Sequence, residues 1–316
     1  MSFIFPKFSQ VVKNIQELRI QGAQNIAESA VSIFTELEQT AFSYFHHMSD
    51  YAKELKRAKD ILCNTRPTEP LLKNSLHYIF ADRDILYYDS MQKLHENIVK
   101  KTQEVRSHFQ DVHEKLPNIG SKKIRKKMVV FTHCHSSNVV AILRNAKEQK
   151  KDFSVCQTET RPRFQGRITA TELSQLHIPV KHFVDSALRI AIKESDCVLL
   201  GADAIDYAAN VFNKIGSELV CEIATLYKKP IYICTDSWKF DPYTDAKHEE
   251  LIESRNPDEI WEKPPKGILI SNPAFEKIHP KHITGIISEM GIHTPKDFLF
   301  EIRKRYPFLH KIADSG

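Results

Sequence analysis

The sequence has no apolar run that approaches the roughly 18 to 20 residues of a membrane-spanning helix. Its first ten residues, MSFIFPKFSQ, lack the charged start, apolar stretch and cleavage site of a secretory signal peptide. The 6 cysteines include no CxxC pair, so we expect reduced thiols. Together these absences predict a cytoplasmic protein that does not interact with membranes.

Two nucleotide-binding motifs are also missing. The sequence contains neither GxGxxG nor GxxxxGKS/T, so dinucleotide binding and P-loop phosphate transfer lose their sequence support. The net charge of +5 suits an anionic ligand, but it is too small and too dispersed to indicate nucleic acid. The one basic block, at 121–127, is interpreted as a solvated linker.

The chain of 316 residues, with 41% hydrophobic and 27% charged residues, has the composition of a globular protein with two domains. From about residue 11 to 116, apolar side chains recur three or four positions apart, which predicts a helical bundle ending in a long helix over 83–115. Pro117, Gly120 and the basic block then indicate a boundary between domains 1–120 and 121–316.

After residue 127, short apolar runs alternate with amphipathic segments, which predicts a Rossmann-like parallel sheet with helical crossovers. The fold class is therefore α/β, with an N-terminal helical bundle domain followed by a parallel-sheet domain. Six strands are predicted, near 128–131, 153–157, 178–184, 197–200, 230–234 and 267–270.

Polar segments follow the first five predicted strands. In chain order they read THCHSS, TETRP, DSA, GADAID and TDSWKF. Open parallel sheets bind ligands beyond the carboxyl ends of their strands, so these acids, hydroxyls, cations and thiol are expected to share one pocket.

Two predicted helix starts could hold phosphate groups. Ser136 and Ser137 open the helix after the first strand, where hydroxyls and backbone amides can bind an anion. The segment 213–217, NKIGS, repeats this arrangement, with Lys214 as a point charge and Gly216 allowing close backbone approach. With the guanidinium groups of Arg66 and Arg161, these features predict a small ligand that carries two phosphates.

Six segments, in this order, resemble those of the ribose-1,5-bisphosphate isomerase family: NTRPTEPLLKNSLHYI, THCHSS, TETRPRFQGRITATEL, VDSA, GADAI and NKIGS. That family is grouped with methylthioribose-1-phosphate isomerases and with the regulatory subunits of the translation initiation exchange factor. The resemblance runs from about residue 18 to the C-terminus, and TETRPxxQG is its sharpest signal.

The resemblance implies an aldose–ketose isomerase that converts ribose 1,5-bisphosphate to ribulose 1,5-bisphosphate without metal or organic cofactor. It implies a homodimer or a hexamer built as a trimer of dimers. Cys134 and Asp203 match the family's catalytic thiol and acid. The implied substrate-binding residues are Gly22, Ala23, Arg66, His135, Ser136, Arg161, Gln165, Asp185, Ser186, Asn213, Lys214 and Lys239.

This isomerisation needs two groups that transfer protons, because a ring must open and hydrogen must move between C2 and C1. We expect burial to raise the pKa of the carboxyl and adjacent cations to lower the pKa of the thiol, bringing both toward neutrality. In this hypothesis Cys134, as thiolate, removes the C2 proton, while Asp203 protonates the ring oxygen and shuttles protons between oxygens.

Three segments depart from the family pattern. His135 stands where an asparagine is usual, and QGAQNIAESA, with Gln24 and Asn25 after Gly-Ala, lacks the expected arginine. Gln21 and Asn25 can still donate hydrogen bonds there. The glycine-containing turn expected before NKIG is replaced by 206–212, DYAANVF.

Three alternatives stay open at this point. A methylthioribose-1-phosphate isomerase shares the two catalytic residue types, although THCHS is more typical of the bisphosphate branch. A non-catalytic regulatory subunit generally lacks the paired cysteine and aspartate. Zinc binding by His133, Cys134 and His135 is disfavoured because adjacent residues of a strand point to opposite faces.

Overall fold

The computed structural model describes residues 5–81, 88–244 and 253–311. The chain divides into two compact units, 1–111 and 112–316. The observed boundary, after residue 111, comes slightly earlier in the chain than the boundary predicted after residue 120.

The first unit is helical. Its helices are α1 (Pro6–Gln16), α2 (Ala23–Tyr44), α3 (Met48–Cys63) and α4 (Pro70–Ile79), and α5 (Met91–Ser121) begins in it. Prolines at the starts of α1 and α4 suit a position whose N–H has no partner within the helix. The unit's core includes fully buried side chains from α2 and α3 such as Ile26, Phe34 and Leu55.

The long helix predicted over 83–115 begins and ends later. The first residues of the prediction, 83–87, lie outside the described residues, and α5 continues through Pro117 to Ser121. Proline removes one helical hydrogen bond, but Val112 and Leu116 of this helix are buried in the core of the second unit. Their burial favours a continuous helix where the sequence indicated a break.

The second unit contains a seven-stranded sheet and a three-stranded sheet. The strands are β1 (Met128–Thr132), β2 (Phe153–Thr158), β3 (Val180–Phe183), β4 (Cys197–Leu200), β5 (Ala204–Ile205), β6 (Val211–Lys214), β7 (Ile231–Cys234), β8 (Phe275–Ile278), β9 (Gly285–Ser288) and β10 (Gly291–His293). The order in the large sheet is β10-β9-β7-β4-β1-β2-β3, with β10 antiparallel and the other pairs parallel. The small antiparallel sheet has the order β5-β6-β8.

The helices that connect these strands are α6 (Ser137–Glu148), α7 (Gln165–Gln175), α8 (Leu188–Glu194) and α9 (Ser217–Leu226), and α10 (Pro295–Arg305) and α11 (Phe308–Lys311) follow β10. Short 3-10 helices form at Asp185–Ala187, Ser237–Lys239, Pro257–Glu259 and Pro280–His282. Val130, Val155 and Leu199 from three neighbouring strands are fully buried in one core cluster, as expected for a sheet covered by helices. The predicted α/β fold class is confirmed.

One strand prediction was wrong. Residues 267–270, GILI, form a turn and irregular chain, and the sixth parallel strand is β9 instead. Two prolines precede this run, Gly267 has a φ of 93°, and Leu269 is 99% exposed. An apolar run with nothing to pack against gains no burial energy, so composition alone was misleading here.

Within the described residues, no helix has both the length and the apolar character to cross a membrane.

Candidate active site

The five polar segments meet at one edge of the large sheet. Strands β7, β4, β1, β2 and β3 are consecutive neighbours and run parallel. Their carboxyl ends therefore point the same way, and the segments that follow them lie side by side.

Cys134 lies just beyond β1 in a left-handed backbone conformation, with a φ of 66°. Its N–H donates a 2.9 Å hydrogen bond to Oγ1 of Thr160, and its carbonyl oxygen accepts a 3.0 Å bond from Oγ1 of Thr169. This conformation is costly for a non-glycine residue, and such strain concentrates at functional sites. Two threonine side chains therefore fix the backbone that carries the buried thiol.

Thr160 is itself left-handed, with a φ of 60°, and is held by Asp185. One carboxylate oxygen of Asp185 accepts a 2.8 Å bond from the N–H of Thr160, and the other accepts a 2.7 Å bond from the N–H of Arg161. Asp185 was expected to contact substrate. Its visible role is to shape the TETR loop that supports Cys134.

The thiol of Cys134 interacts electrostatically with three charged side chains. Burial raises its pKa to about 12, Lys214 opposes this rise, and Asp203 and Asp185 add to it. The expected net lowering of the thiol pKa was therefore wrong, because desolvation outweighs the interaction with Lys214. Burial also lowers the pKa of Lys214, and the interactions with Cys134 and Asp203 act in the opposite direction.

Asp203 lies half-buried between β4 and β5, and its N–H donates a 2.8 Å bond to the carbonyl of Phe212. Of the unusual segment 206–212, residues 206–210 form the turn between β5 and β6, and residues 211–212 begin β6. Asp206 accepts bonds of 2.9 Å from the N–H of Ala208 and 2.8 Å from the N–H of Asn210. Ala209 takes a left-handed φ of 62°. Asp206 thus closes a turn that contains no glycine. The β5–β6 hairpin still connects Asp203 to Lys214.

The NKIGS segment begins α9 as predicted. Gly216 precedes the helix with a φ of 100°, and Asn213 and Lys214 are buried. Nδ2 of Asn213 donates a 2.8 Å bond to Oγ of Ser217, whose hydroxyl donates a 2.6 Å bond to the carbonyl of Lys214. These bonds close the turn that presents the Lys214 ammonium.

Ser136 begins α6 as predicted, and its Oγ accepts a bond from the N–H of Val139. A Cβ on Gly201 would lie 2.7 Å from this oxygen, so the glycine lets the GAD segment approach the helix start. Lys239 is buried and donates a 2.7 Å bond to the carbonyl of Ala202, next to Asp203. Ser136 and Lys239 therefore both border the Gly-Ala-Asp segment.

Other predicted substrate contacts lie on or near α7. His135 places Nδ1 3.1 Å from Oγ1 of Thr169 and Nε2 3.8 Å from Glu172. Arg161 is exposed, and its guanidinium lies 4.9 Å from the ring centre of Phe164.

Gln165 and Ser186 complete the predicted contacts of the second unit. Oε1 of Gln165 is buried without a hydrogen-bond partner among the described residues. Ser186 is exposed.

The remaining predicted contacts belong to the first unit. Gly22 precedes α2 with a φ of 83°, and Ala23 is the buried first residue of that helix. Arg66 is buried, and its Nη2 lies 3.3 Å from Glu69.

Two amides expected to replace the missing arginine already have local partners. Gln21 donates to the carbonyl of Leu18 at 2.7 Å, and Asn25 donates to the carbonyl of Gln21 at 3.1 Å.

Sequence reasoning missed the supporting groups Thr160, Thr169 and His133. Thr160 lies inside the conspicuous TETRP motif, and that position was its only signal. Threonine hydroxyls are common in loops, so residue type did not distinguish these supports from ordinary loop residues.

The family of this chain follows from a comparison that spans most of its length. Residues 19–295 match the model of the initiation factor 2 subunit family. The chain belongs to this family. A relative in it, the ribose 1,5-bisphosphate isomerase of Pyrococcus furiosus, is 35% identical over 96% of both chains. The enzyme of the same name from Thermococcus kodakarensis is 34% identical, again over 96% of both chains. This agrees with the resemblance inferred from the motifs.

A solved structure of a translation initiation factor shares the fold. The translation initiation factor eIF-2B of Pyrococcus horikoshii superimposes with a TM-score of 0.79, covering 93% of this chain and 100% of that one. The two sequences are 23% identical, so this similarity establishes the fold alone.

Proposed function

We propose that this protein is an aldose–ketose isomerase that converts ribose 1,5-bisphosphate to ribulose 1,5-bisphosphate. The observation that carries the proposal is the placement of the buried Cys134 thiol at the carboxyl edge of the sheet, where it interacts electrostatically with Lys214 and Asp203. The 35% identity to an isomerase of that name, over nearly the whole chain, supports this choice of reaction.

The protonation state of Cys134 before substrate binds determines the first step of the proposed mechanism. Burial raises the pKa of Cys134 to about 12, so the thiol is protonated at neutral pH. In the proposed mechanism its proton passes to the carboxylate of Asp203, and Lys214 stabilises the thiolate that remains. Asp203 then delivers this proton to the ring oxygen, and the bond between that oxygen and C1 breaks.

The remaining steps return both groups to their starting states. The thiolate of Cys134 removes the C2 proton, and the electron pair of the C2–H bond forms the double bond of an enol between C2 and C1. Cys134 then returns the proton to C1, while Asp203 accepts the proton of the C2 hydroxyl. These transfers leave the C2 ketone, a Cys134 thiolate and a protonated Asp203. The proton then passes from Asp203 back to the thiolate, which restores the thiol and the carboxylate.

The groups around the catalytic pair would bind the two phosphates of the substrate. Lys214 supplies a buried cation, the start of α6 supplies backbone amides, and Arg161 supplies an exposed guanidinium. At the start of α9 the backbone amides of Gly216 and Glu218 already donate to the carboxylate of Glu276. Arg66, Gly22 and Ala23 remain proposed substrate contacts, as do Ser186 and Lys239. No metal or organic cofactor is part of the proposed chemistry.

A coupled assay with ribose 1,5-bisphosphate and methylthioribose 1-phosphate in parallel tests the function. Turnover of the first alone supports the proposal, and turnover of the second alone would replace it with the methylthioribose reaction. No turnover of either substrate would favour a non-catalytic regulatory subunit. The Cys134→Ser protein, purified identically, shows whether any rate comes from a contaminating isomerase.

We also propose that the protein forms a homodimer or a hexamer. Exposed apolar side chains on α8 and α9, including Ile190 at 58% and Leu226 at 67%, support self-association. Light scattering with size-exclusion chromatography tests this, and a monomer at working concentrations would contradict it.

A further inference from the structure

The imidazole of His133 links two of the segments that form the candidate active site. Its Nδ1 lies 2.5 Å from Oγ1 of Thr158, at the end of β2, and its Nε2 lies 2.9 Å from the carbonyl oxygen of Ile215. His133 is 3% exposed, so both contacts are sheltered from water.

The partners determine where the ring carries its hydrogen. A carbonyl oxygen only accepts, so Nε2 donates to Ile215, and Nδ1 of the neutral ring accepts from the hydroxyl of Thr158. Burial lowers the pKa of His133 and Lys214 lowers it further, while Ile215 and Asp185 oppose this shift. The neutral ring, protonated on Nε2, is the state that fits both contacts.

The loop that His133 holds carries the cation of the site. Ile215 lies directly between Lys214 and Gly216, and a Cβ on Gly216 would be 2.8 Å from Nε2 of His133. The loop therefore packs against the ring, and Gly216 is needed for that close approach. Since His133 also precedes Cys134, one side chain links the backbones that carry the thiol and the ammonium.

We propose that His133 is a positioning residue, whose Nε2–H bond to Ile215 fixes Lys214 beside Cys134. This inference rests on the proposed function only in giving Lys214 the task of stabilising the Cys134 thiolate. A role limited to core packing is the competing explanation. The two roles differ in which half of the imidazole matters.

Two substitutions test the roles of Nε2 and Nδ1 separately. In His133→Gln the amide nitrogen can occupy the place of Nε2 and still donate to Ile215. In His133→Asn the shorter amide can replace Nδ1 toward Thr158, and the bond to Ile215 is lost. Thr158→Val is the matched control, because it removes the Nδ1 partner and leaves the Ile215 bond in place.

The glutamine and valine variants are expected to keep kcat within a few fold of the natural protein. The asparagine variant is expected to lose kcat by on the order of ten- to a hundredfold, the effect of small displacements in an active site. Its kcat should also fall at higher pH than in the natural protein, because the mechanism starts from the protonated thiol, and a displaced Lys214 stabilises the thiolate less while Asp203 and Asp185 still disfavour it. Loss of packing alone would lower the midpoint of thermal unfolding without moving the pH profile.

Nuclear magnetic resonance provides a readout that needs no turnover. Long-range proton–nitrogen spectra should show a His133 ring protonated on Nε2 that does not titrate while the protein stays folded. The amide resonances of Ile215 and Gly216 should move in His133→Asn and stay near their positions in His133→Gln.

Equal losses of kcat in the two His133 variants, an unshifted pH profile in His133→Asn, or an Nδ1-protonated ring would each overturn the inference. If the natural protein turns over neither sugar phosphate, the proposed function fails, and the amide resonances still decide whether His133 positions the loop.

Discussion

Oγ1 of Thr160 accepts a 2.9 Å hydrogen bond from the backbone N–H of Cys134. The same hydroxyl lies 3.4 Å from the carbonyl of Thr158, to which it donates. Both Thr160 and Cys134 are left-handed, so two strained backbones from neighbouring strand ends stabilise each other. The position of the thiol therefore depends on a side chain from another strand.

Replacing Thr160 by valine should lower both activity and stability. Valine has a similar shape but leaves the buried N–H of Cys134 without an acceptor, which costs about 1–3 kcal/mol of unfolding free energy. Urea unfolding measures the stability and the coupled assay measures kcat. Thr160→Ser keeps the hydroxyl and should retain most of both, whereas equal behaviour of the two variants would show that the hydrogen bond is unimportant.

Replacing Cys134 by serine or Asp203 by asparagine should abolish turnover and leave folding intact. Serine is a far weaker proton acceptor than a thiolate, and asparagine cannot transfer the proton of a carboxyl group. Circular dichroism checks the fold, and Cys63→Ser is the control for thiol removal, since Cys63 lies in the first unit. An undiminished rate in either active-site variant would remove that residue from the mechanism.

Replacing Gly166 by alanine should destabilise the TETRP loop. The new Cβ would lie 1.9 Å from the carbonyl oxygen of Thr158, so backbone must move, and we expect a loss of about 1–3 kcal/mol or more. Gly267→Ala is the comparison, because that position has open space around it and only its φ of 93° is unfavourable. Thermal and urea unfolding should rank Gly166→Ala as clearly the less stable; the reverse order would contradict the contact.

His77 should make the protein less stable in acid. Burial, then Lys59 and Lys73, lower its pKa from the ordinary value of 6.5 to about 4. Between those two pH values the unfolded chain binds the proton that the folded chain does not, so unfolding becomes more favourable as the pH falls through that window. His77→Gln removes this contribution and should flatten the fall in unfolding free energy with decreasing pH.

The control for His77 is the exposed His46. Urea unfolding at several pH values is compared for His77→Gln, His46→Gln and the natural protein. If the profile of His77→Gln keeps its full slope and matches that of His46→Gln, the assignment to His77 is wrong.

Much of the site's location could be predicted from local patterns. Parallel strands place their carboxyl ends together, so THC and GAD were expected at one edge, and Ser136 and Gly216 were expected at helix starts. The supports of Cys134 were not predicted. Thr160 and Thr169 lie 26 and 35 positions away along the chain, and nothing local shows that their hydroxyls reach it.

Two errors have one physical cause. Apolar composition predicted a strand at 267–270, where Leu269 is almost fully exposed, and adjacent cations predicted a lowered thiol pKa, where burial raises it to about 12. Both properties depend on how much water a side chain loses on folding. That quantity is set by packing.

The sequence by itself determined the change from a helical bundle to a parallel sheet, five of the strands in that sheet, the α/β class, and which residues could perform proton transfer, because these follow from periodicity and residue chemistry. Only the tertiary structure decided that Cys134 is left-handed, that Asp185 holds the TETR loop, and that His133 links two strand ends. Such contacts join residues far apart in the chain, and their hydrogen-bond geometry exists only after the strands have paired.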